Sequence, residues 1–289
     1  MEKARIAVIG GSGVYNIEEL KIIDELKIKT PFGLPSDKIL IGKFANSENI
    51  AFLPRHGKGH RFLPTEINSK ANIWALKYIG VERIIGISAV GSLKEEIHPG
   101  DIVIPDQIID RTKSRANSFF GDGIVGHISF AEPFCPELRK VLIETVKQLG
   151  YSLHTTGTYI CMEGPLFSTK AESHLYRSWG ASLIGMTVLP EAKMAREAEI
   201  CYGTIALPTD YDCWYEAHET VTVEMVIKQM QENIKKAKQI IKEVVNNIPI
   251  ERNCICKNAA ANAIMTNPKY IPKKTFKKLK LFYGKYIKI

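Results

Sequence analysis

The 289-residue chain contains no apolar run of the roughly 18 residues needed to span a bilayer, which argues against a membrane helix. Met1-Glu2-Lys3 leads directly into the strand-like Arg5-Ile-Ala-Val-Ile9, with no room for a charged, apolar and cleavable leader, so the protein is expected in the cytoplasm. Six cysteines include no Cys-x-x-Cys pair and no histidine at zinc-finger spacing, and no structural metal is expected from that pattern. The tight Cys254-x-Cys256 suits either a strained bridge or two reduced thiols. The turn Gly10-Gly11-Ser12-Gly13 lacks the third glycine of a dinucleotide fingerprint, because Asn16 stands in its place, and no Walker lysine motif follows any strand. Internal repeats are absent.

Excess charge is also missing from most of the chain. The net +8 comes from the C-terminal 39 residues, which hold ten basic residues and one acid, against 29 basic and 30 acidic residues before them. That distribution argues against nucleic acid as a partner of the body. The tail interleaves Lys273, Lys274, Lys277, Lys278 and Lys280 with Tyr270, Phe276, Phe282 and Tyr283. A poorly ordered or subunit-packing extension is the favoured reading, with an RNA- or membrane-surface segment as the alternative. Deleting residues 258–289 separates the two: catalysis is expected to survive, whereas a binding function carried by the tail would disappear.

What is present alternates. Short apolar runs at 5–9, 39–44, 50–53, 83–88, 102–104, 158–162, 182–186 and 203–207 predict strands. Helical periodicity falls at 69–79, 136–149, from Ser168 to Gly180, at 191–201 and at 223–245. This pattern predicts a single α/β domain over residues 1–249, with a mostly parallel, twisted sheet flanked by helices, and a basic extension over 250–289. Chemistry is then expected at the carboxyl ends of the strands.

Several such ends suit an anion. Gly10-Gly11-Ser12-Gly13 offers backbone N–H groups and a hydroxyl. Arg55 and His56, after the run Ile50–Leu53, supply a guanidinium fork and a ring donor. Ser88-Ala89 and Met186-Thr187 end two further strands in small or hydroxyl residues. Together they describe a site for free inorganic phosphate. The run Gly203–Pro208 then delivers Asp210 and Asp212, whose side chains share one side if the chain stays extended. Alone, Asp-x-Asp also suits a solvated turn. Beside an anion site, a carboxylate pair that shares a proton suits an amino-bearing heterocycle.

Taken in order, Ile9-Gly-Gly-Ser-Gly13, Thr30-Pro-Phe-Gly33, Arg55-His-Gly57, Ala89-Val-Gly-Ser-Leu93, Pro99-Gly-Asp-Ile-Val-Ile104, Glu163-Gly-Pro165 and Thr209-Asp-Tyr-Asp212 resemble the S-methyl-5'-thioadenosine phosphorylase family, in the trimeric branch of purine nucleoside phosphorylases. The resemblance covers roughly residues 4–247. It implies phosphorolysis of methylthioadenosine to adenine and 5-methylthioribose 1-phosphate, with inorganic phosphate as co-substrate, no cofactor, and a homotrimer or a hexamer of two trimers. Carried over by position, it implies phosphate binding by Ser12, Arg55, His56, Ser88, Ala89 and Thr187. Met186 is implied under the ribose, Phe167 and Tyr211 at the substrate, and Asp210 and Asp212 at the base, with Asp212 facing N7. Ser168 and Val223 fall at positions tied to specificity, and His127 at one lent across a subunit interface. It also implies disulfides Cys135–Cys201 and Cys254–Cys256. The sequence departs from the family at Leu166, where arginine is common, and at Gly185, where asparagine or aspartate is frequent. The nearest rival is a phosphorylase for 6-oxopurines, which an asparagine in place of the first acid would serve better.

Overall fold

Ten residues in the middle of the chain, Arg83-Ile-Ile-Gly-Ile-Ser-Ala-Val-Gly-Ser92, are almost wholly buried, because sheet neighbours and helical layers cover both faces of the strand they form. The computed structural model describes residues 2–288 apart from 12, 15, 16, 46 and 216–222, with the side chains at 223, 225 and 226 also left aside. In chain order the elements are β1 (Ile6–Gly10), β2 (Lys21–Leu26), β3 (Ile39–Lys43), β4 (Asn49–Pro54), α1 (Ser69–Tyr78), β5 (Arg83–Ser92), β6 (Ile102–Val103), β7 (Gln107–Arg111) and α2 (Pro136–Gln148). They continue with β8 (Leu153–His154), β9 (Thr158–Met162), α3 (Lys170–Ser178), β10 (Leu183–Gly185), α4 (Val188–Glu197), β11 (Cys201–Asp210), α5 (Val223–Asn247) and α6 (Lys273–Tyr283).

The sheet is mixed. Its path runs β2-β3-β4-β1-β5-β10-β9-β7, with β11 pairing β5 and β6, and β6 pairing β8. Strand β5 runs parallel to β1 and to β11, while β10 meets its last two residues antiparallel. Strands β2, β7 and β8 carry no clear period in the sequence. β2, Lys21-Ile-Ile-Asp-Glu-Leu26, is an exposed edge strand held by its ladder to β3.

Alternation along β1 shows how the layers stack. Ala7 and Ile9 join one core with Ile73 and Leu76 of α1, Met194 of α4 and Leu279 of α6; Ile6 and Val8 join another with Leu138 and Leu142 of α2 and Ile241 of α5. Period two in the strand thus meets period 3.6 in helices on both faces. Local signals end the helices: Asn68 accepts from the Ala71 amide to cap α1, Pro136 opens α2, and Thr169 with Glu172 forms a capping box on α3.

The extension is part of this core, not a loose appendage. Leu279, Phe282 and Tyr283 of α6 are almost fully buried, as are Ala260 and Ile271 before it. The chain also pairs with the loop around His127: Ala263 O accepts from the His127 amide at 2.9 Å, and Met265 N–H donates to Val125 O at 2.9 Å. Phe282 and Tyr283 are therefore spent on packing and unavailable for stacking on nucleic-acid bases. Among the described residues no helix is long and apolar enough to cross a membrane.

The cysteine pairing also differs from expectation. All six cysteines are free, including Cys135, Cys201, Cys254 and Cys256. The four thiols meet as one buried group, in place of two separate bridges.

Candidate active site

The parallel strands β1, β4, β5 and β11 bring four chain segments to one edge. At the end of β4, Arg55 is 2% exposed and its guanidinium is already engaged. Nε donates to Glu191 Oε1 at 2.6 Å, Nη2 to Glu191 Oε2 and to Ile9 O at 3.1 Å each, and Nη1 to Ile87 O at 2.7 Å. Burial alone would push Arg55 down, but the Glu191 carboxylate holds it above the ordinary range. The expected two-oxygen fork onto phosphate is thus corrected: the fork grips Glu191, and the same group ties the end of β1 to the middle of β5. Tyr202 OH also donates to Glu191, at 2.9 Å.

His56 departs from expectation in a related way. Its Nδ1 lies 2.8 Å from Phe62 O. A carbonyl only accepts, so Nδ1 carries the proton and Nε2 is left as an acceptor while the ring is neutral. Burial chiefly, with the charge of Arg55, pushes His56 down to about 4, so at neutral pH it is neutral. It matches a protonated phosphate oxygen better than a bare one.

Beyond Arg55 lies a cluster of hydroxyls. Ser88 Oγ is 2.9 Å from Thr187 Oγ1 and 2.8 Å from Tyr159 OH. Thr187 stands at the N-cap of α4, where threonine usually bonds the helix amides, yet it makes no cap bond and reaches across to β5. Burial raises the Tyr159 hydroxyl above its ordinary range, so it stays protonated. Gly185 explains its own departure from the family: a Cβ there would come within 2.0 Å of Tyr159 OH. Ala89 and Met186 are half-buried beside these groups.

The acids sit three residues further along β5. Asp210 is in register with Gly91 of β5 and ends β11. The chain then turns, with Asp212 at φ +51° opening a short 3-10 turn, so the two side chains are brought together by a bend and not by strand alternation. Both flank Gly91, whose missing Cβ would lie 3.1 Å from Asp210 Oδ1 and 3.2 Å from Asp212 Cβ. Asp210 Oδ1 accepts from the Asp212 amide at 2.8 Å and Oδ2 from Thr209 Oγ1 at 2.7 Å. Asp212 Oδ2 accepts from Ser173 Oγ at 2.5 Å. Burial raises both carboxyls above the usual carboxylate range, and the charge of Asp210 adds to the rise at Asp212.

Other expected residues are scattered. Tyr211 turns its hydroxyl toward Glu95 O and stacks on Tyr215. Ser168 O accepts from Cys213 Sγ at 3.3 Å, next to the acids. Phe167 is 75% exposed and Leu166 81% exposed. His127 is exposed, and no described contact joins it or Phe167 to the acids or hydroxyls. Ser12 and the Val223 side chain lie outside the described residues. Sequence reasoning missed Glu191, Tyr159, Ser173 and Arg115. Buried Arg115 bonds four carbonyls, those of Met186, Leu189, Met162 and Glu163, and so joins the ends of β9 and β10. An acid one residue past Pro190 in an apolar stretch was the one local sign of Glu191; the others carried none.

Comparison with known proteins gives a consistent result. The Phosphorylase superfamily model matches residues 5–246. A curated S-methyl-5'-thioadenosine phosphorylase from Geobacter sulfurreducens is 54% identical over 283 residues, covering 98% of this chain and 99% of its own. The crystal structure of a methylthioadenosine phosphorylase from an antarctic soil metagenomic library superposes with a TM-score of 0.93 at 45% identity, over 98% of this chain and 99% of that one. A mutant of the adenosine/methylthioadenosine phosphorylase of Schistosoma mansoni, in complex with methylthioadenosine, gives a TM-score of 0.79 at 35% identity, over 86% and 93%.

Proposed function

The chain belongs to the phosphorylase superfamily and, within it, to the S-methyl-5'-thioadenosine phosphorylases, and from that premise we propose that the site on β5, β10 and β11 splits S-methyl-5'-thioadenosine with inorganic phosphate. The products are adenine and 5-methylthio-α-D-ribose 1-phosphate. One observation carries this reading beyond the family: the Ser88–Thr187 hydroxyls and the Asp210–Asp212 pair lie three residues apart on one strand. At about 3.3 Å per residue that is roughly 10 Å, enough for a pentose between an anion and a base.

As the N-glycosidic bond stretches, the sugar becomes cation-like and the purine takes up negative charge. Phosphate held by the hydroxyls of Ser88 and Thr187 stabilises the cation and then bonds its anomeric carbon. His56 Nε2 accepts from a protonated phosphate oxygen. We assign one proton to the acid pair, because burial opposes ionisation of both carboxyls and the charge of Asp210 opposes it further at Asp212. It passes to N7 of the departing base, while the remaining carboxylate accepts from the 6-amino group. By position in the family, Met186 is assigned to the ribose and Ser168 to the base and 5' group.

The reaction needs no cofactor besides phosphate. We place the enzyme in the cytoplasm, as a homotrimer or a pair of trimers, with exposed Leu166, Phe167 and Val125 and the His127 loop as the surfaces a neighbouring subunit covers. Steady-state kcat/KM for methylthioadenosine, adenosine and inosine at saturating phosphate tests the reading. Methylthioadenosine is expected to lead, and an inosine preference overturns the choice of base.

A further inference from the structure

Four sulfur atoms, those of Cys135, Cys201, Cys254 and Cys256, lie within 4.8 Å of one another. They are brought together from three separate parts of the fold. Cys135 stands at the N-cap of α2 and makes no cap bond with its side chain. Cys201 opens β11. Cys254 and Cys256 flank Ile255 in the turn after α5; Ile255 is 64% exposed, while the two cysteines on either side are at most 9% exposed. Leu138, Leu142 and Val146 of α2 and Val244, Val245 and Ile248 share the same apolar core. Water is excluded.

The sulfurs are held on rigid backbone. Cys135 N–H donates to Tyr202 O at 2.8 Å, and Cys201 N–H to Glu82 O at 2.9 Å. The segment carrying Cys254 is fastened by Arg252 Nη1 to Glu199 O at 2.9 Å, Arg83 Nη2 to Glu251 O at 2.8 Å, and Asn253 N–H to Glu137 Oε1 at 3.2 Å. Two guanidinium groups thus fasten the chain just before Cys254, and both also pair with Glu82.

We propose that the four thiolates bind one zinc ion, a structural site that clamps the C-terminal extension onto the catalytic domain. Tetrahedral zinc with bonds of about 2.3 Å places its sulfurs about 3.8 Å apart, which a group confined within 4.8 Å accommodates. Binding forms four Zn–S bonds and releases four S–H protons to solvent; nothing is oxidised. The spacing rule for zinc fails here because the ligands are a lone cysteine at a helix start, another at a strand start, and a Cys-x-Cys whose middle residue faces outward. The site is distinct from the acids and hydroxyls and takes no part in the reaction. By holding residues 254–256 it anchors the chain that pairs with the His127 loop.

The test uses the full-length protein, purified without chelator and without added reductant. Metal analysis is expected to find one zinc per chain, released as a mercurial titrates four thiols. Guanidinium-denatured protein treated with chelator is expected to show six reactive thiols. Removing the zinc with a strong chelator is expected to lower Tm by several degrees, and Cys256→Ser to reduce zinc content at least tenfold. Two reactive thiols with no zinc would mean two disulfides and overturn the proposal. Six thiols with no metal, iron in place of zinc, or zinc that leaves without any change in Tm overturn it equally. Because the native protein's metal content decides, a variant that fails to fold leaves the answer intact.

Discussion

Asp212 donates its backbone N–H to Oδ1 of Asp210 at 2.8 Å, and that bond sets the spacing of two carboxyls that burial has already made reluctant to ionise. Replacing either acid by Asn removes the shared proton and one acceptor for the base. Asp210→Asn and Asp212→Asn are each expected to lower kcat by about 10²–10⁴, the range for a lost general acid. Circular dichroism and Tm should stay near those of the wild type. A variant within threefold of wild-type kcat overturns the assignment.

Ser173 modulates the same pair. Its hydroxyl donates to Asp212 Oδ2 and holds that carboxyl lower than burial and Asp210 would leave it. Without it the pair keeps its proton to higher pH, so Ser173→Ala is expected to move the alkaline limb of the kcat profile upward. A pH–rate series with methylthioadenosine checks the direction.

Glu191 and Arg55 form a pair with side chains only 2% and 3% exposed. Removing one partner leaves the other charge buried, so Glu191→Gln is expected to cost about 3–5 kcal/mol in urea denaturation. The bonds from Arg55 to Ile9 O and Ile87 O would loosen with it, and the KM for phosphate is expected to rise more than that for the nucleoside.

His56 makes stability sensitive to acid. Its pKa falls from 6.5 to about 4 on folding, so below 6.5 the unfolded chain takes up a proton that the native ring refuses. This contribution is complete above pH 6.5 and is lost as pH falls toward 4. His56→Gln is expected to flatten the Tm profile over that interval, a change thermal melts at half-unit pH steps would detect.

Deleting residues 258–289 removes Ile271, Leu279, Phe282 and Tyr283 from the core. Truncating even one buried aromatic costs about 3–5 kcal/mol, and a domain has only about 5–15 kcal/mol to lose. The truncated chain is therefore expected to be insoluble or unfolded, contrary to what its lysine-rich sequence implies. Soluble, active protein after the deletion overturns the packing described for α6.

The extension shows where a sequence signal can be present and still be misread. Thr275, Leu279, Phe282 and Tyr283 recur at helical spacing and make up the buried residues of α6, yet the lysines between them dominate composition. Strand β2 shows the opposite case: its six residues lack alternation, and only the ladder to β3 makes them a strand. For the acids, a bend at Asp212 with φ +51° stands where an extended strand was expected, and both residues lie against Gly91.

Local period and punctuation determined the core strands, five of the six long helices, and the strand ends near Thr187 and Asp210, because those signals arise between residues a few positions apart; β5 runs four residues past the end expected at Ser88. Tertiary structure alone decided that Arg55 grips Glu191, that Phe62 sets the His56 tautomer, that Tyr159 fills the space left by Gly185, and that four distant cysteines meet. Each joins segments far apart in the chain, and such contacts depend on how the layers stack, which no window of sequence contains.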